Sequence, residues 1–286
     1  FLLEIDMANN FHQFTKSGEK SREIFHRPSG VTGRTIHGIR SRPPFLLAPS
    51  PYLYSMPADN QFTFLSKSSF INGMQCARYL WLQYYAPEKA GKEPLSGETR
   101  FRKGREVGAM AREYLPGGKD ASTDPYDPSA SIEKTRALID SGANLIYEAA
   151  FEYRGLFASV DILVRKGPRW HAYEVKSGTS VKEHYLADAA FQYHVLQGAG
   201  LPLSKFFILH IDNRYTRHGP VEPTALFRRE PVLKRVRLMQ ADIGKAADRL
   251  REMLSSDTMP DTDIGPHCSS PHPCPFTGFC WSHIPY

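Results

Sequence analysis

Residues 148–176, EAAFEYRGLFASVDILVRKGPRWHAYEVK, limit what this chain can fold into more than any other stretch does. Segments 157–165 (FASVDILVR) and 170–176 (WHAYEVK) are rich in β-branched and aromatic residues, and Lys166-Gly167-Pro168-Arg169 between them supplies turn chemistry. The pattern predicts a β-hairpin. With Arg165 set against Trp170, Asp161 falls opposite Glu174 and Ser159 opposite Lys176. Side chains alternate along a strand, so Glu174, Lys176 and Asp161 share one face while Val175 points into the other. Two carboxylates opposed at ~4.5–5.5 Å between Cβ atoms repel, and a cation is expected between them. A hard divalent ion, magnesium or manganese, takes carboxylate and carbonyl oxygens, and Lys176 is placed to act on a bound water or a phosphate oxygen. Glu-x-Lys alone is a common triplet, and the plain alternative is a solvated surface hairpin.

Composition bears on the partner. The 286 residues carry a formal charge of +6 with 41% hydrophobic content, enough for one substantial domain and suited to a polyanionic ligand. No apolar run approaches the length that crosses a bilayer, and FLLEIDMANN lacks the basic lead and apolar core of a signal peptide, so a cytoplasmic location with no membrane partner is expected. Residues 1–60 scatter Pro, Ser, Gly and Arg without period and are expected to be a disordered or loosely attached extension, the folded unit being 61–286.

From Leu65 the texture is helical. Ser66 or Ser68 is an N-cap candidate, and Phe70, Met74, Ala77, Trp81 and Tyr84 follow at three-to-four spacing, predicting one amphipathic helix that carries Cys76 and ends at Pro87. A linker through Gly97 leads to a second helix, FRKGREVGAMAREYL, stopped by Pro116-Gly117-Gly118, and a third is expected around 132–141. The strand ANLIYEAAFEY, bearing Glu148, precedes the hairpin. After Lys176, Ser180 and Glu183 form a capping-box pattern for a helix through Gln192, closed by Gly198, Gly200 and Pro202. KFFILHI predicts another strand. The segment 225–254 has apolar residues at helical spacing and predicts one long helix, with Arg228, Arg229, Lys234 and Arg235 on its polar side as a candidate phosphate-contacting edge or a merely solvated face.

All four cysteines fall at Cys76 and in the tail at Cys268, Cys274 and Cys280, a distribution that suggests a single four-thiolate site. A disulfide is disfavoured in a cytosolic chain. Structural zinc sites usually build tight C-x-x-C turns, absent here, whereas iron-sulfur clusters accept looser loops. A [4Fe-4S] cluster is expected, with Zn2+ as the alternative.

Taken together, an aspartate, a dozen or so residues and then Glu-x-Lys, with one cysteine ahead and three behind, resemble the RecB-like PD-(D/E)XK nucleases of the iron-sulfur branch, the type found in AddB and in CRISPR-adaptation exonucleases. The resemblance covers roughly residues 65–281. It implies an α/β restriction-endonuclease-like core, a mixed sheet flanked by helices, with the cysteines as a clasp joining the N- and C-terminal parts. It further implies that Asp161, Glu174 and the main-chain carbonyl of Val175 hold Mg2+ or Mn2+, that Lys176 assists the attacking water, that Gln192 helps position it, and that Glu148 is the acidic residue of the preceding strand. Two features depart from the family. Its G-x-x-x-H histidine falls at Gly108, and the tyrosine expected four residues after Gln192 is Leu196, an aromatic standing instead at Tyr193. Members often continue past the last cysteine, so a chain ending HIPY is expected to be a short or truncated version. The implied function is a metal-dependent DNA nuclease, single-strand-directed and exonucleolytic, in repair, phage defence or CRISPR adaptation with the proteins of those pathways. The alternative is an inactive nuclease fold that binds nucleic acid or protein.

Overall fold

Ser66 accepts a hydrogen bond from the Ser69 N–H at 3.1 Å and so caps the first helix, as its position predicts. The computed structural model describes residues 64–91 and 95–282, and the expectation for 1–60 lies outside them. In chain order, β1 (Leu65–Ser66) leads into α1 (Lys67–Gln75) and α2 (Ala77–Tyr85). One continuous helix was the expectation. The chain instead breaks at Cys76, whose extended backbone (φ −161°, ψ 122°) closes α1 and opens α2. The cysteine therefore stands at a corner, not on a helix flank.

Next come α3 (Leu95–Tyr114), β2 (Lys119–Asp120), α4 (Pro128–Asp140, capped by Asp127), β3 (Leu145–Tyr153), β4 (Leu156–Lys166) and β5 (Arg169–Lys176). α3 begins inside the expected linker. The hairpin has the register that its turn residues predict: Arg165 pairs with Trp170 and Lys166 with Arg169, around Gly167 at φ +60°. Its length differs, however. Ladder pairing stops at Ile162 and Tyr173, so Ser159 does not face Lys176 but pairs with Ala150 of β3. Beyond that point β5 continues along a different neighbour.

That neighbour is β6 (Leu203–Ile211), parallel to β5 and reached through α5 (Glu183–Gly198), a crossover of the usual βαβ kind. No capping box forms at the start of α5; its N-cap is Lys182, with no side-chain hydrogen bond. The remaining elements are α6 (Pro223–Leu226), β7 (Phe227–Pro231), α7 (Leu233–Leu238), α8 (Gln240–Leu254) and α9 (Thr277–Trp281). The long helix expected over 225–254 is thus four elements. Phe227–Pro231 has a second option that periodicity does not register: the free edge of β6, against which it forms an antiparallel ladder from Phe207↔Pro231 to Ile211↔Phe227. Arg228 and Arg229 sit on this strand, while Lys234 and Arg235 sit on α7. They do not share one helical face.

Among the described residues the sheet has seven strands in the order β2-β3-β4-β5-β6-β7, with β1 pairing parallel to the start of β4, and the fold is mixed α/β with helices on both faces. On one face Val107 and Ala111 of α3 pack against Tyr147, Ile162, Tyr173, Phe207 and Leu209. On the other lies α5, whose Phe191 stacks on Phe70 of α1 at 4.6 Å between ring centroids. With α1 and α8 outside it, α5 is buried nearly all round, and this explains how Gln192 comes to be fully enclosed.

Gly198 at the end of α5 shows how tight this layer is. A Cβ there would lie 2.2 Å from Cγ of Tyr153, the last residue of β3. Gly198→Ala is expected to cost about 1–3 kcal/mol by overpacking, and a urea denaturation midpoint equal to the wild type's would contradict this packing.

Candidate active site and cysteine pocket

Where β4 and β5 part company, Asp161 loses its ladder partner on one side, and on the other the β3–β4 pairing skips from Tyr147↔Ile162 to Ala149↔Val160. The skipped residue is Glu148, held at φ +53°, a left-handed backbone that a glutamate rarely adopts. Such outliers persist where the surroundings force them and cluster at functional positions. Asp161 Oδ2 instead accepts the Val175 N–H at 2.5 Å, replacing the missing ladder bond with a side chain. This splayed end of the hairpin is the floor of a groove of about 940 Å3. Gly104, Arg105, Gly108 and Arg112 of α3 form one wall, and His184, Tyr185 and Asp188 of α5 form the other.

Glu174 is 1% exposed and is the most heavily bonded group in the site. Its Oε1 takes the ammonium groups of both Lys67 and Lys176 at 2.8 Å, and its Oε2 accepts from Gln192 Nε2 at 2.6 Å. Lys176 also pairs with Asp188. The expected residues Asp161, Glu174, Val175, Lys176 and Gln192 therefore meet in one place. Glu148 lines the same groove, bonded to Arg112 (3.3 Å) and to the Ser159 hydroxyl (3.4 Å).

Three participants were not anticipated. Asp188 had a weak signal, four residues before Gln192 on the same helix. Arg112, bridging Asp120 at 2.5 Å and Glu148, had none. Lys67 had none either, because its contact with Glu174 spans 107 residues of sequence. Gly108 lines the groove, and a Cβ added there would meet nothing within 4 Å. Glu106 is exposed, 3.9 Å from Arg102. Arg228, Arg229, Lys234 and Arg235 are all exposed. Arg229 lies over the Phe207 ring, and Arg235 reaches Glu183 at 3.3 Å.

The electrostatics separate the two central carboxylates. Burial would raise the Glu174 carboxyl, but Lys176 and Lys67 outweigh it and hold Glu174 well below the usual carboxylate range. Burial, and then the charges of Glu174 and Glu148, push Asp161 up to about 8. For Lys176, burial works to strip the proton, while Glu174 and Asp188 more than offset it and keep the ammonium above its ordinary range. Lys176 is a fixed positive charge, not a base.

A pH dependence follows from Asp161. The folded chain keeps a proton there that the unfolded chain releases near pH 4, so stability falls as pH rises from about 4 towards about 8. Glu174 adds no slope in this range, because its contribution is lost only as pH falls. Burial lowers His171, His184 and His194, and these act in the opposite sense, but only below about pH 6.5. In chelator, stability is therefore expected to decline by up to about 1.4 kcal/mol per pH unit between about pH 6.5 and 8, and Asp161→Asn should flatten this limb. Equal slopes for the two proteins in urea titrations at both pH values would overturn the assignment.

The second feature lies at the corner between α1 and α2. Cys76, Cys268, Cys274 and Cys280 all line one small pocket, together with Tyr79, His267 and Phe276. Gln75, the last residue of α1, donates Nε2 hydrogen bonds to the carbonyls of His267 (2.7 Å) and His272 (2.8 Å), so the tail is docked against the N-terminal helices. Burial raises the Cys76 thiol and raises Cys274 to about 11, with the neighbouring cysteines adding to both shifts. Among the described residues, no group of three or more His, Cys, Asp or Glu side chains is arranged to hold a metal ion as it stands. No described helix is long and apolar enough to cross a membrane.

No protein-family model matches this chain, and none of the curated proteins matches it. Among solved structures, it is similar to one titled "Crystal structure of SSO0001", at 15% identity over 55% of this chain and 71% of that one, with a TM-score of 0.24. A likeness at that level carries no argument about fold or function.

Proposed function

We propose that this chain is a metal-dependent DNA nuclease with a PD-(D/E)XK core, acting on single strands from an end. The observation that carries the reading is the meeting of Asp161, Glu174, Lys176 and Gln192 at the splayed end of one hairpin, at the floor of the groove of about 940 Å3. The donor set fits a divalent ion: two carboxylates and the Val175 carbonyl are hard oxygen ligands. The Gln192 Oε1, buried without a hydrogen-bond partner, is a further polar atom at the same place. Burial first, and then the charges of Glu174 and Glu148, raise the Asp161 carboxyl, and a cation bound beside it would offset both.

Mg2+ or Mn2+ held by Asp161, Glu174 and Val175 would lower the pKa of a bound water and polarise the phosphate. The chain's own residues do the rest. Lys176, kept charged by Glu174 and Asp188, offsets negative charge as it builds on the phosphate. Gln192 fixes the Glu174 carboxylate from behind. Arg105 and Arg112 line the groove as phosphate contacts, and the exposed Arg228, Arg229 and Lys234 are available to a longer strand.

The cysteines belong to the same proposal as a clasp. Four thiols line one pocket, with those of Cys76 and Cys274 pushed up by burial, a setting in which a cationic group would take the four as thiolates. A single tetrahedral zinc draws its sulfurs to within about 3.8 Å of one another. The spacing of Cys268, Cys274 and Cys280, without a tight C-x-x-C turn, suits a [4Fe-4S] cluster better. A second reading, an inactive nuclease fold that binds without cutting, is favoured by Gly108 in place of an imidazole. Incubating the protein with Mn2+ and labelled single-stranded DNA separates the two: strand shortening is expected, and binding without cleavage would favour the second reading.

A further inference from the structure

Lys67 was invisible in the sequence, yet its ammonium lies 2.8 Å from the same Glu174 oxygen that receives Lys176. One carboxylate oxygen thus serves two cations. Lys176 has a second carboxylate in Asp188, whereas Glu174 is the acidic group that Lys67 bonds. The anchoring of Lys67 is unusually firm. It is the first residue of α1, directly behind the Ser66 cap, and β1 is pinned to β4 through Leu65↔Leu156 and Ser66↔Phe157, with Leu65 wholly buried. Its charge is felt by Asp161 as well as by Glu174. The ammonium therefore sits on one of the two carboxylates assigned to the divalent ion, as a tethered monovalent stand-in for it.

We propose that Lys67 is an exchangeable counter-cation of the metal centre. It neutralises Glu174 when no divalent ion is bound and must give up that contact when one binds, so metal affinity is set by competition with it. This rests on the nuclease reading, because it takes Asp161 and Glu174 as the ligands. A fixed positive charge a few ångströms from a divalent ion weakens its binding, and removing that charge should strengthen it by about tenfold or more even in a well-screened site. The same removal leaves a buried carboxylate with one cation fewer, so the metal-free protein should melt lower. A merely structural lysine would give the second effect without the first.

The test is thermal melting of the full chain, with its cysteine site intact, across a titration of Mn2+ after chelation. Ligand binding to the folded state raises the melting temperature along a curve whose midpoint reports affinity. Lys67→Met is expected to melt lower without metal and to reach half of its Mn2+-induced rise at about one tenth of the wild-type concentration. Lys67→Gln, which keeps a hydrogen-bond donor towards Glu174, is expected to shift the midpoint in the same direction and serves if the Met variant does not fold. Lys67→Arg should stay near the wild type. A wild-type rise whose midpoint is unchanged or higher in both neutral variants would overturn the inference and leave the nuclease reading standing. No Mn2+-dependent rise in any of the proteins would sink both.

Discussion

Asp161→Asn is expected to lower Mn2+-dependent cleavage of single-stranded DNA by about 10^3-fold without loosening the fold. Asparagine matches aspartate in shape, and its amide oxygen can still accept the Val175 N–H that stands in for the missing ladder bond. What it removes is a negative charge. In the metal-free chain that charge is largely absent at neutral pH anyway, since burial and Glu174 keep a proton on Asp161. The substitution should therefore be almost silent in a melting curve recorded in chelator and drastic in a cleavage assay, a combination that a structural role would not produce. Lys176→Met should cost activity on a similar scale but also lower the melting temperature, because Asp188 and Glu174 would each lose a cation. Cleavage by Asp161→Asn within tenfold of the wild type would remove the hairpin from the active site.

The second large effect concerns the tail. Cys274→Ser should strip the proposed cluster, and with it the chemical tie between the tail and the corner at Cys76. A metal-coupled segment of this kind contributes several kcal/mol to folding, and for a chain of this size the melting temperature is expected to fall by about 10 °C. Anaerobically purified wild-type protein should be brown and contain about four irons per chain, and the variant should be pale. Colourless wild-type protein holding zinc would decide for the alternative metal. Protein free of both, melting as the variant does, would dispose of the clasp.

The parts of this molecule that the sequence made legible are those whose causes are local. Lys166 to Arg169 carry turn chemistry and the flanking strands alternate, so the Arg165↔Trp170 register could be read directly, and the side-by-side placement of Glu174 and Lys176 came with it. What failed depended on competition between local and distant partners. Residues 227–231 have helical spacing with their neighbours, yet the open edge of β6 makes them a strand, and the supposed basic helix face dissolved as a result. Cys76 lies in the middle of a run with good helical periodicity, and nothing local announces that the backbone straightens there. Lys67 could not have been found from its neighbours at all. Its role depends on a partner more than a hundred residues away.

The shortness of α1 has a mechanical meaning. Lys67 opens it and Cys76 follows its last residue, so nine helical residues, about 13.5 Å, separate the carboxylate centre from the sulfur pocket. That short span is held at one end by the pairing of β1 with β4 and at the other by the tail docked on Gln75. A shift of the helix at its sulfur end would then be felt at the other as a change in the contact between Lys67 and Glu174.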